Sequence, residues 1–564
     1  MNAVRPLWAV VAAILLMGQV DAAPLVVYDS INFYTSGADG YGFLGITSLD
    51  KSAIYGDSLR LTATGKLTSF TWVAFNGPNA SYDLTSASQT ISFYRQSDNS
   101  LIGSFNATIT DLGTGTSKTY TADLGSANIV LDTPDVLVTQ QIPFWPPGAP
   151  NYKLGTVIAT TSNTPAIGST DVGSYRSQFG GPLTKFTWPG YPNYSSAVYK
   201  AVVLPDVTWN TTSGTWNTST ANWTTGSGPN DTFSDGSQAT FNNASGGVVT
   251  LSGALAPRAV VVSATGGSYA FLSTAGNEIT GAATLSKSGD GTLLLYGPNS
   301  YSGGTTLNGG TLALGHADAI GASGTISFGG GTLRYSESNT TDYSARFSNA
   351  ASQQYKIDTS GETVTLASNL TSSGGSFTKL GSGTVTLTGA NTYSGATTVS
   401  GGLLNLNSAT GSAAGGTTSV AVASGATLLL SQSDQVNNAA TVSLSGGTIR
   451  RGGNVGEVFG NLTISTASFL DYGAANDAGT IRFGTYAPSA LLTVQNFLPG
   501  NKLQFGNTIS STDLNNTSLF QFSNGFTTGT ESGFFTITAI PEPSTYLAAL
   551  GLLALMLWPL RRRS

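Results

Sequence analysis

The chain has 564 residues, of which 71 are glycine and only 9% are charged, against about 25% in an average soluble protein. Low charge with abundant Gly, Ser, Thr and Asn is the balance of stacked strands and turns, and it excludes a helical bundle. A net charge of −6 excludes a nucleic-acid partner, the absence of cysteine excludes disulfide and thiolate chemistry, and a single histidine, His316, excludes multi-histidine metal sites.

Residues 1–22 carry Arg5, an apolar run from Leu7 to Met17 and the small-residue pattern Val20-Asp21-Ala22. This is the pattern of a secretory signal peptide, with cleavage expected between Ala22 and Ala23. Residues 23–205 have varied apolar runs such as Ile91-Ser92-Phe93-Tyr94 and Val136-Leu137-Val138, separated by turn clusters. That spacing predicts an antiparallel β-sandwich. Trp72, Trp145, Trp188, Tyr191 and Tyr194 lie in or near Pro- and Gly-containing stretches of this region. Aromatic faces on loops can hold a pyranose ring, so these five are candidate carbohydrate-binding residues, with core packing as the alternative.

Residues 206–540 read as a parallel β-helix, or β-solenoid. Trp209, Trp216 and Trp223 recur every seven residues at its start, among Thr, Ser, Asn and Gly, and are expected on short strands that plug the open end of the first rung. Residues 285–315 and 377–407 then align without a gap, with about half of the positions identical. Within each unit, strands such as Gly383-Thr384-Val385-Thr386-Leu387-Thr388 alternate apolar and polar residues, and Gly-rich turns join them. Val and Leu are therefore expected inside the coil, with Thr, Ser and Asn outside. Lys287, Lys379 and Asp290 are expected in solvated turns, and His316 likewise. Weaker variants at Gly330-Gly331-Thr332-Leu333 and Gly446-Gly447-Thr448-Ile449 predict further rungs, and residues 456–540 are read as the last rungs and a cap.

These units resemble the autotransporter-associated β-strand repeat, whose pattern KxGxGTLxLxGxNxYSGxTTVxxGxL is met at residues 287–312 and 379–404. The resemblance implies a passenger-like solenoid. No set of alternating strands for an outer-membrane barrel follows it, so self-transport is not expected.

The chain ends in Pro541-Glu542-Pro543-Ser544-Thr545, an apolar stretch over 546–560, and Arg561-Arg562-Arg563. The two prolines predict an extended linker, the apolar stretch a single transmembrane helix, and the arginines a cytoplasmic end. Residues 541–564 resemble the PEP-CTERM sorting signal of Gram-negative bacteria. That resemblance implies processing by an exosortase-type transpeptidase in the inner membrane, acting on the Pro-Glu-Pro segment.

No cofactor or metal is expected, and no nucleophile, phosphate-loop or calcium pattern occurs. The expected function is that of an exported, non-enzymatic structural or adhesive protein of the cell surface or extracellular matrix, with exopolysaccharide as a possible partner. The alternatives are a carbohydrate-binding surface protein, a β-helix polysaccharide-degrading enzyme, and an ice-binding protein that would use rows such as Thr384, Thr386 and Thr388.

Overall fold

The structure is a computed structural model. It describes the strands between residues 25 and 205 with parts of their connections, and residues 206–540 apart from 226–228, 322 and 474–477. The export segment with Ala22 and Ala23, the apolar stretch 546–560, and the C-terminal signal from Pro541 through Arg563 lie outside the described residues, as do Trp145, Trp188, Tyr191 and the side chain of Tyr194. Among the described residues no helix is long and apolar enough to cross a membrane. The only α-helix among them, Ser511–Leu514, is a single turn capped by the Ser510 side chain.

The chain divides into two compact units, one of residues 1–211, 215–240 and 257–259, the other of 212–214, 241–256 and 260–564. The first holds two antiparallel sheets of 8 and 7 strands. Gly65–Asn76 is central to one, pairing with Tyr199–Pro205 and Ser117–Asp123. Leu84–Arg95 is central to the other, between Leu101–Leu112 and Asp135–Gln141. Inward residues of the two sheets meet, with the alternation of the first broken once after Leu67 by a register shift: Leu67, Phe70 and Trp72 from the first meet Ile91, Phe93, Val136 and Val138 from the second. Phe70 and Phe93 touch edge to face with centroids 5.2 Å apart.

The same unit contains the tryptophan run. Trp209 and Trp223 face each other across an antiparallel pair of short strands, Val207–Trp209 and Trp223–Thr224. Trp223 meets Trp209 at 5.0 Å and Trp216 at 5.4 Å, and Phe233 completes the cluster 5.3 Å from Trp216. All three indoles are buried, so they are packing residues and offer no open sugar platform.

The second unit is a parallel β-solenoid of about 12 turns. One long sheet stacks Ser268–Leu272, Thr292–Leu295, Thr311–Leu314, Thr332–Arg334, Gln354–Asp358, Ser376–Leu380, Ala396–Val399, Ser419–Ala423 and Thr441–Ser445 in parallel register. A second stacks Thr363–Leu366, Thr384–Leu387, Leu403–Leu406, Thr427–Leu430, Thr448–Arg451, Ser468–Asp471 and Leu492–Gln495. The second repeat contributes Ser376–Leu380 and Ala396–Val399 to the first sheet and Thr384–Leu387 and Leu403–Leu406 to the second, so one repeat is two rungs of the coil. The weaker variants Thr332–Arg334 and Thr448–Arg451 are rungs as well.

Register turns the period-two pattern into columns. One inward column runs Val364, Val385, Leu404, Leu428, Ile449, Leu470, Val494, and each is buried. Burying such a side chain stabilises by about 1.5–3 kcal/mol, and a slip of one residue would turn the whole column outward. The turns between rungs approach closely. At Gly310 and Gly402, which occupy equivalent places in the two repeats, φ is +59° and +61°. A Cβ at either would stand 2.3 Å from a carbonyl oxygen of the rung below, that of Gly291 or Gly383. The coil ends in an antiparallel hairpin, Phe526–Glu531 with Phe534–Ala539, laid on Lys502–Phe505.

Candidate functional site

The residues that the two repeats share are the first candidates for a site, and the structure assigns them a different task. Lys287 and Lys379 are not in solvated turns, as their polarity led us to expect. Each occupies an inward strand position: Lys287 stacks beside Leu307, and Lys379 between Ile357 and Val399. Each is fully buried. The Lys379 ammonium donates to the carbonyls of Leu380 (2.8 Å), Gly381 (2.8 Å) and Gly401 (3.2 Å). Lys287 does the same with Ser288 (2.6 Å), Gly289 (2.9 Å) and Gly309 (3.4 Å). The lysine stem fills core volume while its head closes the glycine turn of its own rung and that of the next. Burial pushes both ammonium groups down to about 8, opposed by Asp290 near Lys287 and Asp358 near Lys379. Asp290 itself is exposed, as a turn residue should be.

The shared asparagines are rung staples. Asn391 Oδ1 accepts from the Leu370 N–H at 2.7 Å and its Nδ2 donates to the Ala413 carbonyl at 2.7 Å, joining the rungs on either side. Asn299 repeats this with Ile279 (3.1 Å) and Ala319 (2.8 Å). The shared tyrosines bond inward, Tyr301 to Thr305 at 2.8 Å and Tyr393 to Thr397 at 2.7 Å. Burial raises both phenols, that of Tyr301 to about 12. None of these groups is free to meet a substrate.

Of the two readings for Trp72, core packing holds: at 2% exposure it stacks on Tyr120 with centroids 5.7 Å apart and cannot serve as a loop platform. A tryptophan on an inward strand position is spent on closing the sandwich. His316 is half exposed in its turn, and its Nδ1 accepts from the Asp318 N–H at 3.0 Å. The threonine row at Thr384 and Thr386 extends to Thr363 and Thr365 on one side but meets Leu403 and Asn405 on the other. It is therefore two rungs deep, too shallow for an extended lattice. Among the described residues no group of acidic or histidine side chains could hold a metal ion.

Buried or half-buried polar residues outside the repeats were missed by sequence reasoning, because each occurs once. Arg346 gathers the carbonyls of Gly321, Ser323 and Gly324 in a guanidinium fork. Arg451 stands in the inward column after Leu430, bonds Asn501 at 2.8 Å, and lies 5.2 Å from the ring of Tyr472. Glu457 is buried, with its carboxyl accepting the N–H groups of Gln435 (2.7 Å) and Val436 (3.3 Å). Desolvation raises its carboxyl to about 8; those two N–H groups oppose the shift and the Asp434 charge assists it.

Glu457 gives a pH dependence with a definite sign. The unfolded carboxyl releases its proton near pH 4.5 and the folded one near 8, so the folded state binds more protons between these values. Stability from this group is full below about pH 4.5 and is lost as pH rises towards 8, by up to about 1.4 kcal/mol per pH unit. Urea unfolding at pH 5 and pH 8, compared with Glu457→Gln, isolates the effect: the substitution removes that part of the slope. Equal slopes in the two proteins would refute it.

Residues 285–314 and 377–406 match the passenger-associated-transport-repeat family. These are the two segments whose lysine, asparagine and tyrosine hold the rungs. A curated relative, the adhesin BmaC autotransporter of Brucella suis biovar 1 (strain 1330), is 42% identical over 111 residues. The match spans 20% of this chain and 3% of the adhesin. No solved structure matches the chain.

Proposed function

We propose that the chain is an exported, non-enzymatic structural or adhesive protein of the cell surface or extracellular matrix. The observation that carries this reading is that the repeat spends its fixed polar residues on joining rungs. Lys287, Lys379, Asn299 and Asn391 are all bonded to backbone groups inside the coil, which leaves the outward faces free to vary. The match to a segment of a protein named an adhesin supports the same reading, as does the solenoid itself, a form that presents long surfaces.

Delivery is the second part of the proposal. Export begins with the segment ending at Ala22. The 546–560 stretch holds the chain briefly in the inner membrane, and an exosortase-type transpeptidase processes it at Pro541-Glu542-Pro543. Exopolysaccharide is the partner that this destination implies. Deletion of residues 541–543 tests the route. The unaltered chain is expected as a shortened species outside the inner membrane, and the deletion variant as a full-size species retained in the membrane fraction. Identical size and location for both would refute the sorting route.

A further inference from the structure

The two repeats differ most where their side chains point outward. The strands Thr292–Leu295 and Thr384–Leu387 occupy equivalent places. Inward they agree in kind, Leu293 and Leu295 against Val385 and Leu387. Outward, the second repeat carries Thr384, Thr386 and Thr388, while the first carries Thr292, Leu294 and Tyr296. Threonine satisfies the fold at these positions, so folding does not require the leucine and the tyrosine.

Register gathers them into a patch. Leu272 and Tyr296 follow Thr250 in one outward column, and Leu294 follows Val248 and Ala270 in the next, on rungs about 4.8 Å apart. Tyr296 is 54% exposed, Val248 44% and Leu272 38%. The Tyr296 ring settles over Gly315, where a methyl group would come within 3.0 Å of its Cδ1. A third column, Ser268, Thr292 and Thr311, borders the patch, and its hydroxyls have no bonding partner among the described residues. No charge enters these columns before Arg334 and Lys356.

From this arrangement we infer that the outward face built on Val248, Leu272, Leu294 and Tyr296 binds a neutral polysaccharide strand laid across the rungs. The apolar faces of pyranose rings stack on tyrosine and leucine, and their hydroxyl edges bond to the Ser268, Thr292 and Thr311 column. Absence of charge disfavours anionic polymers, which need cations to neutralise them. A contiguous exposed apolar strip on a polar coil marks a contact surface. The inference deepens the adhesive reading, on which it rests, by naming the ligand class.

The test uses the purified full chain in non-ionic detergent, with microcrystalline cellulose and amylose resin as neutral probes and alginate beads as the anionic one. Retention on a neutral polymer is expected. Tyr296→Thr with Leu294→Thr, residues that the second repeat already accommodates, should weaken it about tenfold, and Tyr296→Phe should hold it within about twofold. Unchanged melting of the variants shows that the coil is intact. Wild-type retention by the threonine variant, preference for alginate, or no retention on either neutral polymer would each overturn the inference. So would concentration-dependent self-association that Tyr296→Thr abolishes without any polysaccharide binding, which would assign the face to a second copy. Because the assay bypasses export, a chain that binds cellulose yet stays in the inner membrane contradicts only the delivery route.

Discussion

Asn391→Leu should cost about 4 kcal/mol, the largest loss expected from a single side chain of the repeat. The substitution keeps the volume but removes both arms of the staple, leaving the Leu370 N–H and the Ala413 carbonyl without the partner they have at 2.7 Å. Asn391 is buried, so water cannot take its place without opening the turn. Each orphaned buried group costs about 1–3 kcal/mol. The loss should appear as a lower urea midpoint and as faster amide exchange at Leu370, because solenoid rungs are stabilised chiefly by their neighbours. Exchange at Leu370 that matches the wild type would show that the staple contributes nothing.

The second large effect belongs to Lys379→Met. Methionine reproduces the stem of the lysine and leaves the core filled, so the change isolates the ammonium. Two terms oppose one another. Removing the charge relieves the desolvation that pushes the group down to about 8, whereas losing it deprives the Leu380, Gly381 and Gly401 carbonyls of a shared donor. Charge-assisted bonds contribute about 1.5–3 kcal/mol each, and three of them outweigh the relief, giving a net loss of about 3 kcal/mol. A methionine variant that melts at or above the wild-type temperature would mean that the buried charge is a burden on the coil.

Much of the coil was legible in the sequence because its signals repeat. Alternation in Thr384-Val385-Thr386-Leu387 placed valine and leucine inside, and the ladder from Thr363–Leu366 to Leu492–Gln495 has them there. Glycine spacing marked the turns for the same reason, since positive φ at Gly402 needs a residue without Cβ. Polarity misled wherever a polar group bonds to the backbone inside. Lys287 and Lys379 look solvated in a list of residues, yet they are inward because rung carbonyls lie within reach, and only three dimensions reveal that. Trp72 misled in the opposite way: its aromatic face suits a sugar, but its strand position turns it into the sandwich core. Glu457 and Arg451 gave no signal, since a single carboxylate or guanidinium has no pattern until register assigns it a column. The Tyr296 face was hidden for a related reason. Its columns join residues from separate rungs that the sequence keeps about twenty positions apart.

The inward lysines have a consequence for how the coil is assembled. A stack of nearly identical valine and leucine rungs is a screw thread, and a thread can be cross-started by one turn. Lys379 between Ile357 and Val399 breaks that sameness. A rung added one turn out of place would keep the lysine's bonds to Leu380 and Gly381 of its own turn but lose the third, to Gly401 of the next rung, and leave that rung's glycine turn unclosed. The two repeats thus carry their own counting marks, so that a chain winding up from one end has a way to tell which rung comes next.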